Sequence, residues 1–276
     1  MATATPTAAS NAKTRARRAP GARRWTPLLV PPILLLAWQL LASVVSDLAL
    51  ASPAEALSEL LNGARQGWLW ENLFLTLDAT FTGFWIAAVI GLWFGFLLGL
   101  SKFWSSVWEP FLLGIYAIPK ITLFPVFLFL FGLGLASKTM FGMFHGVFPI
   151  ILFTMYSVAT MPPVYLKTAR AMNLGKFKTF RSIIVPASLP QIVEGLRFGF
   201  SLCFLGVVIG EMFASRAGSG YLLVKAISIA DTPRMLAIIV ALVVVALAVN
   251  WIFLAIEHRL ARRRGKAGPV DEPEAA

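Results

Sequence analysis

A hydrocarbon layer about 30 Å thick is crossed by a helix of about twenty apolar residues, and apolar runs of that size recur along this sequence. They cover residues 28–45, 73–100, 107–133, 139–159, 189–213 and 235–256. A backbone in lipid must satisfy its own hydrogen bonds, so runs of this length are helices. The predicted fold class is all-α integral membrane, with six transmembrane helices. Composition agrees: 58% of the 276 residues are hydrophobic and the mean hydropathy is +0.77, more apolar surface than one soluble core hides, while 13% charged residues are too few for a water-facing shell. In the third run Pro119, Lys120 and Pro125 interrupt the pattern. A helix there is expected to kink, and irregular backbone at that depth must face protein or a cavity.

The placement of charge sets the topology. Net charge is +11, but the basic residues gather at the two ends and in one internal loop, which argues for a membrane and against nucleic acid. With both termini inside, the cytoplasmic segments hold six Lys and Arg before the first run, then Lys102, five between Lys167 and Arg181, and five between Arg259 and Lys266. Those seventeen face five outside, Arg65, Lys138, Arg216, Lys225 and Arg234, so the positive-inside rule predicts an N-in, C-in chain. The first run follows a basic segment but has no small-residue cleavage pattern, so it is expected to be a retained span. Residues 1–24 and 265–276 are expected to be disordered cytoplasmic tails around a membrane domain at 25–264. Cys203 has no partner for a disulfide, and two histidines, His145 and His258, are too few for a zinc site.

Local signals mark shorter elements. Ser52, Pro53 and Glu55 suit an N-cap, a first-turn proline and a capping-box carboxylate, with Leu57, Leu60 and Leu61 on one face of the helix that follows. Gly91, Gly95 and Gly99, then Gly142 and Gly146, Gly195 and Gly199, and Gly206 and Gly210 repeat the four-residue spacing that lets helix backbones approach in lipid. Between the fourth and fifth runs, Pro162 and Pro163 suit the start of a polar helix over residues 164–172, and Asn173 suits a left-handed C-cap. A second short helix is expected to lead back to the membrane, re-entering at Pro186.

This loop resembles the EAA motif of ABC importer permeases: Glu-Ala-Ala, three residues, Gly, nine residues, Ile, one residue, Leu-Pro. Aligned from Pro186, the motif's first three positions fall on Lys167, Thr168 and Ala169, its Gly on Asn173, its Ile on Ile183 and its Leu on Val185. Lys167 departs from the acidic pattern and Asn173 from the glycine. Leu50-Ala51-Ser52-Pro53, Ile118-Pro119-Lys120 with Pro125, Phe131-Gly132-Leu133-Gly134, Gly195-Leu196-Arg197, Gly210-Glu211 and Gly218-Ser219-Gly220 are similar to the nitrate, sulfonate and taurine branch of that family. The resemblance implies a type I permease fold, with a coupling helix within residues 163–181 that carries Lys167, Thr168, Ala169, Arg170, Ala171, Asn173, Leu174 and Phe177. It also implies partners: ABC ATPase subunits, a second copy of the permease, and a periplasmic or lipid-anchored substrate-binding protein at the bacterial inner membrane. ATP and Mg belong to the partner ATPase, and the chain itself has no cofactor. Consistent with that division, the sequence contains no Gly-x-x-x-x-Gly-Lys-Ser/Thr run to hold phosphates.

Charged residues inside the runs need a partner or a cavity. Arg197 stands three residues after Glu194, a spacing that permits an ion pair. Lys120, between Pro119 and Pro125, is a candidate anion-attracting position in a substrate path, with snorkelling or pairing to Glu109 or Glu211 as its other readings. Glu211 is a candidate packing or gating partner of the 218–220 turn. His145 and Tyr156 are read as span residues bonded to backbone carbonyls. No catalytic residue emerges. A secondary transporter or channel is the competing class, and it normally shows an internal repeat or paired broken helices, which these runs lack.

Overall fold

The computed structural model describes residues 26–45 and 50–265, and these residues form helices with no strand among them. Four helices are long and apolar enough to cross a membrane. They are α3 (Trp68–Gly99), α6 (Leu135–Ala159), α9 (Val185–Ala214), which continues a helical path from Lys176, and α11 (Thr232–Gly265). Each lies on an expected run. The third run is not one kinked helix: α4 (Lys102–Ala117) and the segment Lys120–Phe131, a 3-10 turn followed by α5 (Phe124–Phe131), meet at 82°. Pro119 lacks the amide to carry the ladder across the break, and Ile118 before it is extended, as a residue preceding proline prefers. The first run forms α1 (Thr26–Val44), 19 residues long. The expected tails lie outside the described residues, apart from Gly265, the last residue of α11.

Close contacts fix the helix directions. Positions for a Cβ on Gly83, Gly91, Gly95 and Gly99 of α3 fall within 3 Å of Thr139, Ile150, Thr154 and Met155 in turn, so α3 and α6 run parallel. Gly142 and Gly146 of α6 meet Cys203 and Gly199 of α9 in reverse order, so α9 runs antiparallel to both. The four-residue glycine spacing is thus a three-helix seam, with α6 in the middle and the deepest side chains, Phe141, Ile150 and Met155, on it. Two ends follow. The loop end holds residues 99–102 and 159–184; the turn end holds Trp68, Gly134 and residues 215–231.

The outer helices obey their caps. α2 (Pro53–Gln66) carries the expected capping box, with Glu55 N–H donating to Ser52 Oγ at 3.3 Å and Ser52 N–H donating to Glu55 Oε2 at 2.8 Å. These bonds hold the Glu55 carboxyl below its ordinary range, so this cap is complete above that range and loosens as pH falls through the lowered value. Leu57 and Leu61 point away from the chain, as an interfacial helix presents its apolar face to lipid. Gly67, at φ 87°, turns the chain straight from α2 into α3. α10 (Ser219–Ser228) ends with Ala230 at φ 56°, a left-handed position that costs a residue with a Cβ about 1 kcal/mol. Ala230→Gly is therefore expected to raise thermal stability by about that amount, read as a higher unfolding midpoint of the full chain in detergent.

Candidate functional site

At the loop end the chain leaves the bundle and returns. Pro162 and Pro163 start α7 (Pro163–Ala171). Its last turn closes as the C-cap reading expected, with Asn173 at φ 49°. Asn173 N–H donates to Arg170 O at 3.0 Å and Leu174 N–H donates to Ala169 O at 3.0 Å, which together satisfy the terminal carbonyls. Lys167, Thr168, Arg170, Ala171 and Asn173 are exposed, Leu174 is half-buried, and Phe177 is 76% exposed. Ala169 is the exception at 3% exposed, and it shares a groove with Leu100, Leu174 and Phe180. A small side chain there lets α7 seat on the bundle root while its other faces stay open.

The return path is helical throughout. α8 (Lys176–Thr179) passes through a π-helical stretch, Phe180–Ile184, into α9, making one apolar helical path of 39 residues to the turn end. Phe180 packs on Phe96 of α3, ring centroids 5.1 Å apart.

The turn end holds a buried polar clasp. Glu211 is fully buried on α9, and its Oε2 accepts from Thr76 Oγ1 at 2.8 Å and from Gly220 N–H at 3.0 Å. Lys138 Nζ lies 3.4 Å from Glu211 Oε1 and also donates to Ser215 Oγ and Ala217 O. Asn72 Oδ1 accepts Gly218 N–H at 2.8 Å, and Thr76 Oγ1 accepts Ser219 N–H at 2.9 Å. The chain from 215 to 220 is held on every side. Gly218, at φ 109°, leaves no room for a Cβ, which would stand 2.3 Å from Glu211 Cδ.

These contacts sort the expected charge partners. Lys120 is half-buried at the α4–α5 break, donating to Tyr116 O at 3.0 Å with its ammonium 4.3 Å from the Tyr116 ring; neither Glu109 nor Glu211 pairs with it. Glu109 instead accepts from Tyr156 Oη at 2.7 Å, so Tyr156 does not bond a backbone carbonyl as expected, whereas His145 does, at 2.9 Å from Phe141 O. Arg197 does reach Glu194, at 3.9 Å, but its shorter ion pair is to Glu257 on α11, at 2.9 Å. Pro119 and Pro125 are exposed beside the break. Sequence reasoning missed Asn72, Thr76 and Lys138. Lys138 counted as an outer-loop cation, yet it is a buried residue of α6. The available signal was the recurrence of Asn72, Thr76 and Thr80 every four residues in an apolar run, a polar stripe on one helix face.

Residues 87–262 match the family described as binding-protein-dependent transport system inner membrane component. Among curated relatives, the chain is 27% identical over 253 residues to the Bacillus subtilis (strain 168) protein named as an aliphatic sulfonates transport permease, SsuC, covering 90% of this chain and 92% of the relative. It is 29% identical over 204 residues to the nitrate import permease protein NrtB of Synechocystis sp. (strain ATCC 27184 / PCC 6803 / Kazusa), covering 71% and 74%. A chain of the inward-facing MetNI methionine ABC transporter shares the fold, with TM-score 0.60, 20% identity, and 68% and 93% of the two chains covered. The family match spans most of the bundle, including α7 and the whole of α9. The chain therefore belongs to the binding-protein-dependent transport system inner membrane components, as a multi-pass permease subunit of an ABC transporter and not an enzyme.

Proposed function

We propose that this permease imports a small solute by alternating access and is driven through α7 by a separate ATPase. The observation that carries the reading is α7 itself, a capped helix outside the bundle, open on all faces but the one at Ala169. Lys167, Thr168, Arg170, Ala171, Asn173 and Phe177 form the surface that the ATPase grips, while Ala169 and Leu174 seat it. ATP and Mg are held by that partner. Closure of the ATPase draws two copies of α7 together, and α9 carries the movement to the far end.

In this reading residues 25–264 form the permease domain with the coupling region at 163–181, and the tails at 1–24 and 265–276 are cytoplasmic. Six spans cross the membrane: α1, α3, the bent α4–α5 pair, α6, α9 and α11, with the loop end inside. At about 1.5 Å per residue, the 19 residues of α1 extend roughly 28 Å, close to the hydrocarbon thickness. A second copy completes the route and an external binding protein delivers the solute. An anion such as nitrate, a sulfonate or taurine fits best, though a vitamin precursor suits the same architecture. The sulfonate and nitrate names of the relatives support this choice. So does Lys120, a cation at the broken span with no ion-pair partner among the described residues. Pro119, Lys120 and Pro125 line the path at the break, and Glu211 holds the outer hairpin that gates it.

Two substitutions test the docking surface. Lys167→Glu changes only exposed charge, and Ala169→Trp levers α7 off its seat. Each is expected to cut transport-coupled ATP hydrolysis in reconstituted vesicles about tenfold, equivalent to about 1.4 kcal/mol of lost coupling; the unfolding midpoint of the permease alone is expected to stay unchanged in Lys167→Glu and to fall in Ala169→Trp, whose indole overpacks a buried seat. Wild-type coupled hydrolysis and ATPase binding in both variants would overturn the placement.

A further inference from the structure

We propose that the permease holds one anionic phospholipid at the root of α3 and α4, its phosphate between Lys102 and Arg170 and an acyl chain in the groove beyond them. A cavity of about 350 Å³ at the loop end is lined by Gly99, Leu100, Lys102, Met161, Pro163 and Arg170 among others, two cations and no acidic side chain. Neither cation has an ion pair among the described residues. Arg170 donates Nε–H to Leu166 O within its own helix at 3.4 Å, a long bond that neutralises nothing. Farther into the bundle, a groove of about 550 Å³ is lined by Phe94, Leu97, Leu98, Trp104, Trp108 and Phe148 and their apolar neighbours. Both spaces fall in the range of about 300–1,000 Å³ typical of ligand sites.

The two spaces are lined by successive residues of the same helices. α3 passes from Leu97 and Leu98 in the groove to Gly99 at the charged cavity, and α4 passes from Lys102 in the cavity to Trp104 in the groove. One molecule with an anionic head and an apolar chain satisfies both. A helix from a second copy would fill the groove but leave two cations unpaired, and a free anion would leave the groove empty. Trp104 and Trp108, 50% and 43% exposed, border the groove as indoles do near a membrane interface. Basic pockets between membrane helices on the cytoplasmic side suit acidic head groups. The inference rests on the inner placement of the loop end proposed above, and it adds a consequence: Arg170 belongs to α7, so the lipid ties the coupling helix to the α3–α4 turn.

The test uses the full chain in detergent without any ATPase, so a failure of ATPase docking leaves it untouched. Phosphatidylglycerol and phosphatidylcholine with the same brominated acyl chains are titrated, and quenching of Trp104 and Trp108 is read as the difference from a Trp104→Phe/Trp108→Phe variant. Phosphatidylglycerol is expected to quench at roughly twenty-five-fold lower concentration than phosphatidylcholine, from about fivefold for each cation. Lys102→Gln with Arg170→Gln is expected to abolish that preference, and inorganic phosphate is expected not to reverse the quenching. Equal quenching by the two lipids, or a preference that survives the double substitution, would overturn the proposal. Reversal by inorganic phosphate would overturn it in favour of a free-anion site. Absence of quenching, with Trp108 emission changing only with protein concentration, would give the groove to a second copy.

Discussion

Replacing Glu211 with alanine is expected to cost about 3–5 kcal/mol of stability, the usual penalty for breaking a buried ion pair on one side. Glu211 is fully buried and the Lys138 side chain is 7% exposed, so among the described residues the ammonium left behind would keep only Ser215 Oγ and Ala217 O. The loss also takes the acceptor from Gly220 N–H and one partner from Thr76 Oγ1, which keeps Asn72 O and Ser219 N–H. A double variant, Lys138→Met with Glu211→Met, removes both charges and is expected to recover most of the loss. The check is a double-mutant cycle on unfolding midpoints of the purified chain in detergent. Losses that simply add, with no recovery in the double variant, would show that the two residues act independently.

The second large effect lies on the three-helix seam. Gly146→Val is expected to destabilise the bundle by about 3 kcal/mol, the upper part of the range for overpacking. A Cβ on Gly146 would stand 2.6 Å from Gly199 O, and one on Gly199 would stand 3.0 Å from Gly146 O, so each backbone blocks retreat by the other. Side chains can rotate away from a clash; backbone carbonyls held in a helix cannot. Gly114→Ala is the matched control, since a Cβ there meets nothing within 4 Å and replaces a poor helix former. It is expected to be neutral or to stabilise by up to about 1 kcal/mol. Comparable losses at both positions would mean that glycine matters here for something other than close approach.

The same comparison shows where sequence reasoning ran out. The capping box at Ser52 and Glu55 and the left-handed cap at Asn173 were legible because each is closed by atoms within five residues along the chain. The glycine spacing showed which helix faces approach, without naming their partners. The polar stretch from Lys167 to Phe177 was legible as a helix outside the apolar runs, whereas the seating of Ala169 against the bundle root was not. Lys120 was given two possible carboxylates and took neither, since Glu109 meets Tyr156 and Glu211 meets Lys138.

By itself, then, the sequence determined the long apolar helices, their caps and the one polar excursion between them, because hydrophobic length and capping act over a few turns of chain. Tertiary structure alone decided how sharply the chain turns at the proline break, 82° between α4 and the Lys120–Phe131 segment, and the pairing of Lys138 with Glu211 and of Arg197 with Glu257. Lys138 and Glu211 are 73 residues apart, and Thr76 reaches Glu211 across 135. Contacts at such separations depend on which helix faces which and at what height, and that is settled only when α6 packs between α3 and α9 along their glycines.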